Sequence, residues 1–157
     1  MKRSLFASVC LGLVLLLQPS LANDKTKNNT TETTSQKSLY HRLGGYDAIA
    51  AVVDEFIGRL AGDQMFARFF AGFSVDSKKH LRQHILNQFC EATGGPCIYT
   101  GRAMKASHSG LGITEAEWQA AAKHLIAAMD KFKVPAKEKD EVIAFVSKLK
   151  ADIVEKP

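Results

Sequence analysis

Met104-Lys105-Ala106-Ser107-His108 sits between Gly101 on one side and Gly110 and Gly112 on the other, and it decides how this chain folds. On a helix, a methionine and a histidine four residues apart lie one turn from each other on the same face. The flanking glycines keep that helix short and let the backbone approach a neighbour closely. Two readings fit these five residues. In one, His108 caps a helix end beside a loop. In the other, a buried imidazole ligates the iron of a haem while the soft Met104 side chain packs against the porphyrin.

Outward from this segment, apolar residues recur at helical spacing and no stretch alternates as a strand would. Upstream, the pattern predicts a short turn from Leu39 to Leu43, closed by Gly44-Gly45, then a long helix over about 46–61. Ile49, Val52, Val53, Phe56, Ile57 and Leu60 form the apolar face of that helix. Met65, Phe66, Phe69 and Phe70 make an aromatic corner, either dense core or the wall of an apolar cavity. A third helix is predicted over about 77–92, with Asp76 as N-cap and a stripe of Leu81, Ile85, Phe89 and Ala92. His84 lies beside the stripe and His80 one turn earlier. Gly94-Gly95-Pro96 stops this helix. Downstream, Thr114 and Glu117 have capping-box spacing and open a helix to about Lys131, with Trp118, Ala121, Ala122, Leu125, Met129 and Phe132 facing inward. Pro135 takes the first position of the last helix, whose buried stripe is Val142, Phe145, Val146, Leu149 and Ile153. The fold class is all-α, with four substantial helices and no internal repeat.

Residues 1–22 read as a secretory signal peptide. Lys2 and Arg3 form its charged end, Leu11 to Leu17 its apolar core, and Ser20-Leu21-Ala22 its cleavage site. The competing reading is an uncleaved anchor. The stretch is too short, and polar sequence follows too closely, for a membrane span, so no stable anchor is expected after cleavage. Residues 23–37 are dominated by Asn, Thr, Lys and Ser with no large apolar side chain, the composition of a disordered tether. Residues 38–157 then form a single domain with one core.

The 157 residues carry a formal net charge of +5, to which Lys2 and Arg3 contribute. The positive charge is scattered, which gives no basis for a nucleic-acid partner. Cys90 and Cys97 lie in the predicted mature domain. A disulfide across Gly94-Gly95-Pro96 is one reading in an oxidising compartment, and a buried helix cysteine with a separate loop thiol is the other. Neither cysteine belongs to C-x-x-C-H, so haem attachment through cysteines is not expected.

The sequence resembles a truncated haemoglobin of the first group. The resemblance is carried by Leu39-Tyr40-His41-Arg42-Leu43-Gly44-Gly45, Phe69-Phe70-Ala71-Gly72, Gly94-Gly95-Pro96, Tyr99-Thr100-Gly101-Arg102, Met104-Lys105-Ala106-Ser107-His108 and Gly110-Leu111-Gly112-Ile113-Thr114. It covers about residues 39–154 with separated motifs in the right order. It implies a shortened globin, a two-over-two helical sandwich around a noncovalent haem b. His108 matches the proximal iron ligand. Phe70 matches the phenylalanine that packs against the haem on the distal side, and Met104, Ile113 and Trp118 match apolar contacts on the proximal side, while Phe69 is one of the phenylalanines that can cover the apolar haem face. Tyr99 falls at the haem edge, and Leu81, His84 and Ile85 fall on the distal helix. Lys105, Lys79 and Arg82 are the cations within reach of the propionates, or else ordinary solvated charges.

Two departures from the family bear on function. The family often places a tyrosine on the first long helix and a glutamine on the distal helix, where they hydrogen-bond the gas ligand. Here those places hold Ile57 and Ile85. Losing such a donor weakens the hold on dioxygen by roughly 1–3 kcal/mol. His84 is the alternative donor, or a second axial iron ligand, or a group pointing to solvent along the haem edge. With His80 it could also make half of a zinc site. His41 and His124 read as structural, and no histidine after His124 exists to bond a haem covalently. The signal peptide is the second departure, since the family is largely cytoplasmic and this chain is expected in a bacterial periplasm. The leading expectation is a protein that reversibly binds oxygen, nitric oxide or carbon monoxide at a haem iron held by His108. The runner-up is redox chemistry with an unidentified reductant: nitric oxide dioxygenase, peroxidase-like activity, or electron transfer through iron held by His108 and His84. A haem-free helical interaction domain is the third.

Overall fold

The computed structural model describes residues 37–156. The expected signal peptide, residues 1–22, and, apart from Lys37, the expected tether lie outside the described residues. Among those described, the chain is helical, with α1 Leu39–Arg42, α2 Gly45–Gly62, α3 Ala67–Phe70, α4 Val75–Ala92, α5 Met104–His108, α6 Glu115–Lys131, α7 Ala136–Ser147 and α8 Lys150–Ile153. A 3-10 turn, Gln64–Phe66, leads into α3.

The helices pair because their apolar faces have no other cover. α2 packs against both α4 and α6, and α6 packs against α7. The first core cluster joins Ile49 and Val53 of α2 to Leu86 of α4. The second joins Leu125 and Met129 of α6 to Val142 of α7. Leu43 and Phe89 touch both clusters and tie the two layers together. Val53, Leu86, Met129 and Val142 are essentially inaccessible to solvent, and burying each contributes about 1.5–3 kcal/mol.

Several boundaries and faces differ from the sequence pattern. α4 starts at Val75, and its N-cap is Ser74, whose Oγ accepts from the Ser77 N–H at 3.1 Å. Asp76 therefore lies inside the first turn, where its carboxylate faces the positive end of the helix dipole. The fully buried face of α4 carries Leu86 and Cys90. Of the predicted stripe, Leu81, Ile85 and Phe89 line a cavity, with Ile85 and Phe89 also packed against the core, while Ala92 at the helix end is exposed. Phe132 is the C-cap of α6 and is 44% exposed, because the inward face of that helix ends one turn earlier at Met129. Pro135 is the N-cap of α7, and the chain breaks at Lys148-Leu149 so that α8 forms a separate turn.

The capping box at Thr114 is complete. Thr114 Oγ1 accepts from the Glu117 N–H at 3.2 Å, and Glu117 Oε2 accepts from the Thr114 N–H at 2.8 Å. Glu117 is 92% shielded in residue terms, at 8% exposure, and also takes Arg68 Nη2 at 2.8 Å. Burial pushes its carboxyl pKa up, but the Thr114 N–H and the Arg68 guanidinium hold it below the usual carboxylate range. Asp63 is held low by His124 Nε2, 2.8 Å away, and by the Met65 N–H. A lowered carboxyl pKa contributes stability that is complete above the ordinary carboxylate range and is lost as pH falls through the lowered value. The thermal midpoint is therefore expected to be level near neutral pH and to fall steeply below about pH 4. Glu117→Gln should lower the midpoint at neutral pH and flatten the acid limb, as read by circular dichroism melts from pH 3 to 8. A variant with an unchanged acid limb would remove Glu117 from this account.

Candidate functional site

A cavity of about 630 Å³ opens between the helix layers. Pockets of this size that bury a cofactor are mostly hydrocarbon with a few placed polar groups, and this one follows that composition. Phe69 and Phe70 of α3 enter its wall, with the buried Phe66 from the preceding turn. α4 supplies Leu81, His84, Ile85 and Gln88, residues spaced so that they share one helix face. α5 supplies Met104 and His108, and Ile113 and Trp118 complete the wall beyond it. The loop between α4 and α5 brings in Tyr99 and Arg102.

His108 is oriented by its own helix. Its Nδ1 lies 2.8 Å from the Met104 carbonyl oxygen. A carbonyl only accepts, so Nδ1 carries the proton and donates, leaving the lone pair on Nε2. This is the arrangement that metal-ligating histidines adopt: one ring nitrogen donates to a fixed acceptor and the other is left for the metal. The i, i+4 spacing of Met104 and His108 serves that hydrogen bond as well as placing both side chains in the cavity wall.

His84 has the opposite character. Its Nδ1 is buried and has no hydrogen-bond partner among the described residues. An orphaned polar atom of this kind costs about 1–3 kcal/mol unless a water or a ligand meets it, and His84 stands in the cavity wall. The Tyr99 ring stands edge-on to His84, with centroids 6.1 Å apart. Tyr99 is fixed in turn by its hydroxyl, which donates to the Arg102 carbonyl at 2.7 Å. Two constraints hold this loop. Cys90 of α4 and Cys97 are joined by a disulfide, with Cα atoms 5.7 Å apart. Gly101 leaves room for the tyrosine: a Cβ there would stand 2.3 Å from the Tyr99 hydroxyl oxygen.

Some placements differ from the sequence reading. Ile57 packs into the first core cluster and is not part of the cavity wall, where α2 presents Phe56 and Leu60 instead. Alignment along the helix could place Ile57 at a family position but could not fix the rotation of α2 about its axis. Arg82 is engaged with Asp54, its Nη2 2.8 Å from Oδ2, and Lys79 reaches toward Asp76 at 3.7 Å. Neither enters the wall, and Lys105 does not either. The cation in the wall is Arg102. Gln88 was also missed, although it lies four residues after His84 and the same periodicity would have placed it on that face. Among the described residues no three His, Cys, Asp or Glu side chains gather as a metal-holding group, so His80 and His84 have no further zinc ligand there.

Hydrocarbon walls, one imidazole with a free Nε2 and a second with an orphaned nitrogen fit an iron porphyrin. The comparisons agree. The bacterial-like globin family model matches residues 38–155. The group 1 truncated hemoglobin GlbN of Mycolicibacterium paratuberculosis is 34% identical over 116 residues, covering 74% of this chain and 83% of that protein. GlbN of a Nostoc species is 35% identical over 119 residues, covering 76% and 98%. Among solved structures, the 2/2 hemoglobin of Synechococcus sp. PCC 7002, in the cyanomet state with covalently attached haem, superposes with a TM-score of 0.68 at 28% identity. That match covers 75% of this chain and 98% of the other. The truncated hemoglobin of Tetrahymena pyriformis shares the fold, with a TM-score of 0.69 at 23% identity, covering 75% of this chain and 98% of that one.

The fold and the cavity thus define a haem-binding globin built as a two-over-two helical sandwich. The chain belongs to the bacterial-like globin family, as a group 1 truncated haemoglobin, and its cofactor is haem iron.

Because Tyr99 fills the space beside Gly101, Gly101→Ala should push the ring from His84 and break its bond to the Arg102 carbonyl. The expected cost is about 1–3 kcal/mol in urea unfolding, with a changed haem absorption spectrum. An unchanged spectrum would mean that Tyr99 does not bear on the haem pocket.

Proposed function

We propose that this globin reversibly binds a diatomic gas at a b-type haem whose iron is held by His108. The observation that carries the reading is the His108 Nδ1 to Met104 carbonyl hydrogen bond, which leaves the Nε2 lone pair available to a metal. Bound haem supplies an iron that takes one protein ligand and one small gas molecule. Met104, Ile113 and Trp118 pack the proximal side in this reading, while Phe69, Phe70, Leu81 and Ile85 cover the distal side and Tyr99 closes the edge. The distal wall is poor in donors. Ile85 offers none, and Ile57 is turned into the core, so His84 and Gln88 are the polar groups available to a gas ligand from α4. Such a wall favours rapid release and ready oxidation of the iron over tight storage of oxygen.

A second reading is supported by one observation, the orphaned Nδ1 of His84. His84 stands in the cavity wall, and its other ring nitrogen, Nε2, could take the second axial position, which would direct the protein toward electron transfer or nitric oxide chemistry. Ligand-free ferrous spectra separate the two. Five-coordinate iron supports an open gas site. A six-coordinate low-spin spectrum that becomes five-coordinate in His84→Ala supports the second reading. His108→Ala removes the ligand itself, so it should abolish stable haem binding or leave the haem misligated, as read from the absorption spectrum after haem addition. Unchanged ligation in that variant would overturn the His108 assignment.

Export to the periplasm completes the reading. It rests on the signal-peptide pattern of residues 1–22 and is supported by the Cys90–Cys97 bridge, since disulfides persist in oxidising compartments. No described helix is long and apolar enough to cross a membrane. Cytoplasmic nicotinamide reductants would then be out of reach, which weighs against sustained nitric oxide dioxygenation. Mass spectrometry of the exported chain should show a start at Asn23 and a gain of two hydrogens on reduction. Two free thiols before reduction would remove the bridge, and retention of Met1 would remove the cleavage.

A further inference from the structure

The chain must turn sharply between the end of α5 and the start of α6, and it does so through Gly110 and Gly112 at φ of +82° and +62°. Left-handed residues of this kind turn successive N–H groups toward one point and create an anion-binding concavity. Here the anion is a side chain from the far end of the chain. Glu155 Oε1 accepts from the Gly110 N–H at 2.7 Å, and Oε2 accepts from the Gly112 N–H. Backbone bonds hold the carboxylate in place. The N–H groups of Glu155 and Lys156 donate to the Ile113 carbonyl at 2.9 and 3.1 Å, and the Glu115 N–H donates to the Lys156 carbonyl at 3.1 Å. Two residues earlier in the chain, α8 packs against α5 itself.

The carbonyls of the same turn are taken from another direction. Arg68 Nη1 donates to the Leu111 carbonyl at 2.6 Å and Nη2 to the Gly112 carbonyl at 3.3 Å, while the guanidinium also pairs with Glu117. The turn is thus held between an anion on its N–H groups and a cation on its carbonyls, and charge-assisted bonds are the stronger kind. It is joined to His108 directly, because the Leu111 N–H donates to the His108 carbonyl at 3.1 Å. Leu111 and Ile113 both reach the cavity wall, whereas Glu155 is exposed and outside it.

We propose that Glu155 is a positioning residue for the proximal histidine: the C-terminal tail clasps the Gly110–Gly112 turn and so fixes where His108 stands relative to the haem. The inference rests on the reading of His108 as the iron ligand. It makes the strength of the iron–histidine bond, and the retention of haem, depend on a surface carboxylate 45 residues from Gly110 that lies outside the cavity wall.

The test uses the haem-loaded protein with Glu155→Gln, Glu155→Ala and Glu155→Asp, beside His108→Ala. Resonance Raman spectra taken just after photolysis of the carbon monoxide complex expose the iron–histidine stretching band whether or not His84 competes for the iron. Haem transfer to excess apomyoglobin gives the release rate. The expected result is a shifted, broadened band and about 10–100-fold faster release in Glu155→Gln and Glu155→Ala, with Glu155→Asp nearer the parent chain. If Glu155→Ala does not fold, the isosteric Glu155→Gln carries the comparison. A lower melting temperature with the band unmoved in position and width would show a merely structural staple and overturn the proposal. A parent chain whose band survives in His108→Ala would overturn the His108 reading and this inference with it.

Discussion

The hydrogen bond from His108 Nδ1 to the Met104 carbonyl closes one helical turn on itself, and most of the site is arranged around its consequences. It spends one ring nitrogen on the backbone and so defines what the other can do. A helix of five residues has little stability of its own, so the ring can hold its direction only if both ends of α5 are fixed from outside. At its start, the Ser107 N–H reaches back to the Ala103 carbonyl, and the Tyr99–Arg102 bond shapes the loop before it. At its end, Glu155 and Arg68 grip the following turn.

α5 is only five residues long, and the segments on either side of it are tied at four places: the disulfide at the end of α4, Arg68 of α3, the capping box at the start of α6, and the C-terminal tail. Each is a polar or covalent tie, whereas the helix pairs are held by hydrocarbon at Val53 with Leu86 and at Met129 with Val142. The division is physical. Apolar contact is non-directional and sets layers, while hydrogen bonds and ion pairs fix orientation over a few tenths of an ångström.

The wall that α2 and α4 supply is sparser in polar groups. His84 and Tyr99 stand edge to face, and Gln88 lies one turn farther along α4. The remaining lining from α2 and α4 is largely Phe56, Leu60, Leu81 and Ile85. Few polar atoms therefore line this part of the cavity, and of these the buried His84 Nδ1 has no hydrogen-bond partner among the described residues.

The sequence by itself determined the all-α class, the helix order, the glycine punctuation and the Thr114 capping box, because periodicity and local backbone chemistry act within a few residues. The local pattern around His108 left a helix cap and an iron ligand both open, and it was the resemblance to truncated haemoglobins that pointed to His108 and to the contacts from Phe69 to Trp118. Only the tertiary structure decided that Ile57 turns into the core while Phe56 and Leu60 face the cavity, because periodicity gives a helix face but not its rotation against two neighbours. It alone chose Arg102 over Lys79, Lys105 and Arg82 at the wall, and joined Glu155 to Gly110 and Gly112, because such pairings depend on where distant segments of the chain arrive in space.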